Sequence, residues 1–112
     1  MTEITGQSFI AGNWITPAGD TFKSFSPYNK KSMYSFASCG SGEIELAARA
    51  AQSAFQTYRK LDGKTIGSFL NAIAGEIEAL GDQLLEVCDS ETALGMARLT
   101  GERGRTCGQL RA

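Results

Sequence analysis

The spacing of apolar residues divides the chain into a strand-forming front and a helix-forming back. Up to residue 40, apolar and polar positions alternate, which is the period of a half-buried strand. Residues 9–15 alternate in this way and include Trp14, and the turn-forming residues 17–20 follow them. We therefore expect Thr21–Phe25 to return as the partner strand of residues 9–15.

A further strand completes the front of the chain. Pro27 and Asn29 interrupt the alternation, and residues 32–39 then resume it with Tyr34 and Phe36 on one face. A two-stranded hairpin is marginally stable in water unless a helix or another sheet covers its apolar face. The pattern thus predicts a β-hairpin and strand region over residues 1–40 that packs against another part of the protein.

From Ser41 onward the apolar period changes to three and four residues. We expect Ser41 to be the N-cap of a helix, with Glu43 and Glu45 in the first turn, where carboxylates favour the positive end of the dipole. Gly81 is placed to end a second helix and Asp82 to cap a third. The apolar stripe of the first helix comprises Ile44, Ala47, Ala48, Ala51, Phe55 and Tyr58, and that of the second comprises Ile66, Phe69, Leu70, Ile73, Ile77 and Leu80.

A fourth helix over residues 98–111 would carry three glycines, Gly101, Gly104 and Gly108. An interior glycine costs a helix about 1 kcal/mol relative to alanine, so three of them favour a helix packed closely against its neighbours. No capping residue marks a helix end at Ala112. We therefore expect about four helices in residues 41–112, and we expect the polypeptide to continue beyond them.

Composition and charge favour an ordinary globular protein. The chain is 42% hydrophobic and 21% charged, and its formal net charge of −1 provides no general attraction to nucleic acid or membrane. No run approaches the roughly 18 apolar residues of a membrane helix, and the N-terminus lacks a signal-peptide core, so a cytoplasmic location is expected.

Charge is distributed unevenly along the back of the chain. No base lies between Lys64 and Arg98, whereas that interval holds Glu76, Glu78, Asp82, Glu86, Asp89 and Glu91. A basic cluster follows, made of Arg98, Arg103, Arg105 and Arg111. The simplest prediction is a solvated acidic helix face together with a basic helix that is either packed or paired with it.

Cysteine and histidine content exclude several kinds of site. Cys39, Cys88 and Cys107 form no CxxC pair, and their odd number argues against a closed disulfide framework. Without any histidine, a zinc site would need carboxylates or thiolates, which here lack ligand spacing, and a base-activated Cys–His pair cannot form. We therefore predict no metal, and we expect Cys39 to be a small, semi-buried residue.

Two glycine motifs resemble phosphate-binding loops only partly. Residues 40–42 place two glycines between a predicted strand and a predicted helix, but Glu45 stands where a dinucleotide fingerprint needs its third glycine. Residues 63–65 match the end of a P-loop, yet Tyr58 occupies the position of its first glycine. We predict a strand-to-helix turn at the first and a helix–helix connector at the second.

Several segments together resemble the N-terminal part of α-ketoglutaric semialdehyde dehydrogenases, a branch of the aldehyde dehydrogenase superfamily. They are, in order, a hairpin around FIAGNWI, then SPYN, EIELAARAAQSAF, FLNAIAGEIEALGDQLLEVCDSET, and finally GERGRT with GQLR. The chain departs from this pattern at Ala93, Gly95 and Cys107, which puts the local turn in question. The resemblance implies a partial α/β fold, in which residues 41–112 are the helical part of an incomplete NAD(P)-binding domain.

The resemblance also implies a function for the parent polypeptide. It would oxidise an aldehyde, α-ketoglutaric semialdehyde, to a carboxylic acid with NADP or NAD as cofactor, and it would form a homodimer or homotetramer. Family members use a downstream cysteine nucleophile and a downstream glutamate base. The resemblance thus places no catalytic and no cofactor-binding residue in this segment, and it implies that the segment alone is inactive.

One residue of the basic cluster is a candidate for substrate binding. In the superfamily, the helix at this place resembles one wall of the substrate entrance, and a substrate carboxylate could bind Arg105 there in a two-point contact. On a helix, Arg98, Arg105 and Gln109 would share one face. The alternative is that these arginines pair with the acidic helix or with a partner subunit. A stand-alone helical interaction module and a small nucleic-acid-binding protein remain rival functions, although this stretch lacks aromatic residues to stack bases.

Overall fold

The computed structural model describes residues 3–112, so the first two residues of the predicted 1–40 region lie outside the described chain. The strands are β1 (Ser8–Ile10), β2 (Asn13–Ile15), β3 (Thr21–Phe25) and β4 (Ser32–Ala37). The helices are α1 (Ser41–Tyr58), α2 (Gly63–Ala79), α3 (Gly81–Thr92) and α4 (Met96–Arg111). The predicted order, strands first and then four helices, is confirmed for the described residues.

The pairing predicted for the first strands is wrong. β1 pairs with β2 across a two-residue turn at Ala11 and Gly12, with Phe9 opposite Trp14. Both turn residues have positive φ, 53° and 81°, which matches the twist of a tight hairpin. The hairpin around FIAGNWI that the resemblance implied is therefore confirmed, and it leaves residues 9–15 unavailable as a single strand for β3.

β3 pairs instead with β4, antiparallel, across the break that Pro27 and Asn29 introduce. Phe22 lies opposite Phe36, and their rings stack with centroids 5.6 Å apart. A register irregularity falls between Lys23 and Phe25. Each pairing joins strands close in sequence, and the result is two separate two-stranded sheets in the described residues.

The chain forms two compact units. We call residues 3–25 and 32–61, which hold the strands and α1, the sheet unit. We call residues 26–31 and 62–112, which hold α2, α3 and α4, the helical unit. The first helix thus belongs with the strands by its contacts, although it follows them in the helical part of the sequence. Assignment of residues 41–112 to an NAD(P)-binding domain stays a prediction.

In the sheet unit, α1 begins one residue earlier than predicted, because Gly40 and not Ser41 is the N-cap. The Glu43 carboxylate accepts hydrogen bonds from the Gly40 N–H at 2.9 Å and from the Ala18 N–H at 3.3 Å. Glu43 therefore ties the loop after β2 to the start of the helix. The predicted apolar stripe of α1 remains on the surface, since no residue of this helix is buried.

The helical unit has a small apolar core in which α4 packs against α2 and α3. The buried apolar residues of this core are Ala74, Leu85, Leu99 and Cys107. The Cys107 Sγ lies 3.6 Å from the Ala74 carbonyl oxygen, so α4 and α2 approach closely at this point. Because Leu99 and Cys107 lie two turns apart on α4, they anchor one face of it along much of its length.

Gly81 ends α2 as predicted, with φ of 65° in the left-handed region that glycine tolerates. Asp82 is not a cap as predicted, because Leu80 occupies the N-cap position of α3 and Asp82 lies in the first turn. The glycines Gly101, Gly104 and Gly108 do not mediate close packing among the described residues. A Cβ added at any of them would meet no atom within 4 Å.

The turn between α3 and α4, which contains Ala93 and Gly95, is organised by Asp89. Its carboxylate accepts hydrogen bonds from the Gly95 N–H at 2.8 Å and from the Tyr28 hydroxyl at 2.9 Å. Ala93 adopts a left-handed conformation with φ of 56°, and its N–H donates to the Asp89 carbonyl. The hydrogen bond to Asp89 raises the pKa of Tyr28 above its ordinary value. Within residues 3–112, no helix is long and apolar enough to cross a membrane.

Candidate functional site

The basic cluster of α4 is the strongest candidate site, because its four arginines differ in their partners. Arg111 forms a two-point contact with Glu78 of α2, with nitrogen–oxygen distances of 2.6 and 2.8 Å. The hydrogen bonds from Arg111 hold the pKa of the Glu78 carboxyl below its ordinary value, and those to Glu78 raise the pKa of Arg111. The ion pair of Arg111 with Glu78 therefore links α4 to α2.

The side chain of Arg103 contacts the junction between α2 and α3. Its guanidinium donates to the Gly81 carbonyl oxygen at 3.1 Å and lies 3.9 Å from the Asp82 carboxylate. The Arg103 side chain is 21% exposed, so most of its stem packs within the helical unit. The predicted pairing of the basic helix with the acidic segment is thus observed for Arg103 and Arg111.

Arg98 pairs within its own helix. Its Nε donates to Glu102 at 3.0 Å, four residues along α4, and both side chains are more than half exposed. Exposed pairs of this kind contribute about 0.3–0.5 kcal/mol, so Arg98 is held only loosely.

Arg105 differs from the other three, because it forms neither an ion pair nor a hydrogen bond through its side chain within residues 3–112. Arg105 is exposed and, together with Thr106, Gln109 and Leu110, lines an open hollow of about 370 Å³. All four residues belong to α4, so within the described chain this helix alone lines the hollow. We call it the α4 hollow.

The α4 hollow matches part of the predicted arrangement. It brings Arg105 and Gln109 together, as their shared face predicted, but Arg98 does not line it. Thr106 and Leu110 were missed in the sequence analysis, although each directly follows a predicted member and could have been found by that spacing. A cation, a hydroxyl and an amide beside the methyl groups of a leucine suit a small molecule with a carboxylate and a short carbon chain.

The start of α1 does not fit a dinucleotide. Residues 38–40 connect β4 directly to α1, which confirms the predicted element order, but of the turn predicted at residues 40–42 only Gly40 lies outside the helix, as its N-cap. The Glu43 carboxylate occupies the Gly40 N–H that a pyrophosphate would need. Hydrogen bonds from the backbone N–H groups of Glu43, Gly40 and Ala18 also hold the pKa of Glu43 below its ordinary value, so its negative charge persists there.

Residues 63–65 are likewise not a phosphate loop. They form the first turn of α2, and Asp62 caps this helix by accepting a hydrogen bond from the Thr65 N–H at 2.8 Å. The element before them is α1, not the strand that a P-loop requires. The helix–helix connector predicted at residues 63–65 is therefore wrong at these positions, because α2 already begins at Gly63 and the connector between α1 and α2 is residues 59–62.

The cysteines are all free, and they belong to no metal-binding group among the described residues. Cys39 is exposed, not semi-buried as predicted, because it lies in the connection between β4 and α1, and its Sγ lies 3.4 Å from the Ser8 Oγ. Cys107 is buried in the core of the helical unit. Across residues 3–112, no group of three histidine, cysteine or carboxylate residues could hold a metal ion.

Comparison with known proteins shows which family and which relatives the chain is similar to. The profile of the aldehyde dehydrogenase family matches residues 14–112. Alpha-ketoglutaric semialdehyde dehydrogenase 2 of Azospirillum brasilense is 39% identical over 111 residues, which cover 97% of this chain and 21% of that protein. Alpha-ketoglutaric semialdehyde dehydrogenase of Acinetobacter baylyi is 38% identical over 112 residues, which cover 99% and 21%.

The fold agrees with the sequence match. A betaine aldehyde dehydrogenase variant of Staphylococcus aureus, solved in complex with NAD+, superposes with a TM-score of 0.89 at 20% identity, over 97% of this chain and 23% of that one. The chain therefore spans about a fifth of the length of the relatives that it matches. From the family profile and the two sequence matches together, the chain belongs to the aldehyde dehydrogenase family.

Proposed function

We propose that the protein containing this chain oxidises α-ketoglutaric semialdehyde to the corresponding carboxylic acid, with NAD+ or NADP+ as the acceptor. The observation that carries this proposal is the identity of 39% to an α-ketoglutaric semialdehyde dehydrogenase over nearly the whole chain. Because the described residues provide neither a dinucleotide cradle nor a base-activated nucleophile, the catalytic and cofactor-binding groups belong to other parts of that protein. The 112-residue chain alone is expected to be inactive.

Within this activity, Arg105 is the proposed contact for the substrate carboxylate. Three arginines of α4 are paired, whereas Arg105 lines the α4 hollow and has no ion-pair partner among residues 3–112. A free guanidinium binds a carboxylate through two parallel charge-assisted hydrogen bonds. The predicted cytoplasmic location and the predicted homodimer or homotetramer rest on the sequence and the family alone.

The test is to isolate the polypeptide that contains this chain from its native cells with an antibody against residues 3–112. Its mass is then measured, and its aldehyde-dependent reduction of NAD+ and NADP+ is followed at the nicotinamide absorbance. We expect a polypeptide about five times longer than this chain that oxidises α-ketoglutaric semialdehyde. A matched assay of the recombinant 112-residue chain should give the rate of the blank. An isolated polypeptide of 12.0 kDa without activity would contradict the proposal and favour the stand-alone module.

A further inference from the structure

A second polar side chain that lines the α4 hollow, that of Gln109, also lacks a hydrogen-bond partner among the described residues. Gln109 follows Arg105 by one helical turn, a spacing that brings their Cβ atoms within about 6 Å of each other. The side-chain amide of Gln109 forms no hydrogen bond within residues 3–112, and neither does the hydroxyl of Thr106. The hollow thus combines a free cation with free neutral donors on one helix face.

This combination matches a particular arrangement of substrate oxygens. In an α-keto acid, the carboxylate is bonded directly to a carbonyl, and both oxygen-bearing groups accept hydrogen bonds. The planar guanidinium of Arg105 suits the two carboxylate oxygens, and the Gln109 amide has N–H groups to donate to the neighbouring keto oxygen. Leu110 offers apolar contact to the methylene groups that follow.

We propose that Gln109 is a specificity-determining residue that donates a hydrogen bond to the 2-keto oxygen of the substrate. This inference rests on the proposed function, in which Arg105 binds the adjacent carboxylate. Gln109 then distinguishes α-keto acid semialdehydes from semialdehydes of equal length that carry a methylene at the same carbon. Arg105 does not distinguish them, because both kinds of substrate have the carboxylate.

The experiment compares two substrates of the full-length protein, 2,5-dioxopentanoate and 5-oxopentanoate, which differ only in the keto group. Gln109→Leu removes the amide and keeps the side chain close in size. We expect it to lower the ratio of the two kcat/KM values by about twofold to tenfold, the range for one lost neutral hydrogen bond. Arg105→Ala should lower both values and leave their ratio nearly unchanged. Gln83→Leu, at an exposed glutamine of α3, is the matched control and should change neither value.

A binding measurement separates this inference from the proposed function. Calorimetric titration of the same variants with 2-oxopentanoate and with pentanoate, which lack the aldehyde, reports recognition without turnover. Gln109→Leu should weaken binding of 2-oxopentanoate selectively. An unchanged preference in both experiments, or an equal loss for the keto and methylene compounds, would overturn the role of Gln109. If no aldehyde is oxidised, the proposed function fails, and the titration alone decides whether Gln109 recognises the keto oxygen.

Discussion

At the scale of single residues, the four arginines of α4 show how packing assigns different roles to identical side chains. Arg103 and Arg111 face α3 and α2 and take up carbonyl and carboxylate partners there, whereas Arg98 pairs along its own helix. Arg105 points to a face without partners in the described chain and so keeps its full capacity to bind an anion. If Arg105 contacts the substrate carboxylate, its replacement changes KM for charged substrates.

Arg105→Ala in the full-length protein should raise KM for a carboxylate-bearing semialdehyde far more than KM for an uncharged aldehyde of similar length. Loss of a charge-assisted hydrogen bond costs about 1.5–3 kcal/mol, roughly a tenfold to hundredfold change in selectivity. Lysine at this position should restore part of the effect, because an ammonium cannot reproduce the planar two-point contact. Steady-state kinetics of the wild-type and variant enzymes with both aldehydes give the KM values to be compared. Equal effects on the charged and neutral substrates would assign Arg105 to a structural role instead.

At the scale of elements, caps and turns determine where each helix begins. Asp62 caps α2 with its side chain, whereas α1 begins at a glycine and depends on Glu43, three residues later, to accept the free Gly40 N–H. The same carboxylate also holds Ala18, so a single ionised group joins the helix start to the loop after β2. The stability of this junction should therefore depend on pH in the acid range.

Because the pKa of Glu43 is lower in the folded state than its ordinary 4.5, its ionised form stabilises the fold above that pH. This contribution is lost as the pH falls through the lowered pKa, when the carboxyl takes up a proton. Glu43→Gln should therefore reduce Tm at neutral pH and reduce the change in Tm caused by acidification below about pH 4.5.

Thermal unfolding followed by circular dichroism from pH 7 to pH 3 measures this dependence. Glu45→Gln is the control, because Glu45 lies in the same turn of α1 but pairs with Arg49 on the helix surface. The same acid response in wild type and Glu43→Gln would show that the junction does not depend on this charge.

At the scale of the whole chain, each unit leaves large apolar side chains on its surface. The sheet unit exposes 65% of Trp14 and 62% of Ile44, and the helical unit exposes 53% of Phe69. Single exposed apolar residues are ordinary in proteins, but contiguous patches mark surfaces that normally meet other protein. The chain spans about a fifth of its relatives, which agrees with such surfaces being covered by the remainder of a longer polypeptide.

The isolated 112-residue chain should therefore bind a hydrophobic dye and associate as its concentration rises. Size-exclusion chromatography with light scattering measures the association, and Ile44→Lys, at an exposed position on α1, should reduce it without removing the helix. A monodisperse wild-type monomer with one sharp cooperative unfolding transition would contradict the prediction, and it would favour a stand-alone module.

The sequence alone determined the type and order of the elements, because apolar periodicity, capping residues and turn glycines act over a few neighbouring residues. The strand predicted at residues 32–39 and observed at 32–37, the helices α1 and α2, and the end of α2 at Gly81 all follow from such local patterns. The segments that resemble semialdehyde dehydrogenases also determined the family, since they match in order over nearly the whole chain.

Tertiary structure decided which elements and side chains meet. The alternation of residues 9–15 was compatible with one strand, and only the left-handed turn at Ala11 and Gly12 divided it into β1 and β2. The sequence grouped Arg98 with Arg105, but Arg98 pairs with Glu102 and does not line the α4 hollow. Partner choice depends on distances between helices that local patterns do not encode, and for that reason Arg105 and Gln109 are distinguished by packing and not by their residue types.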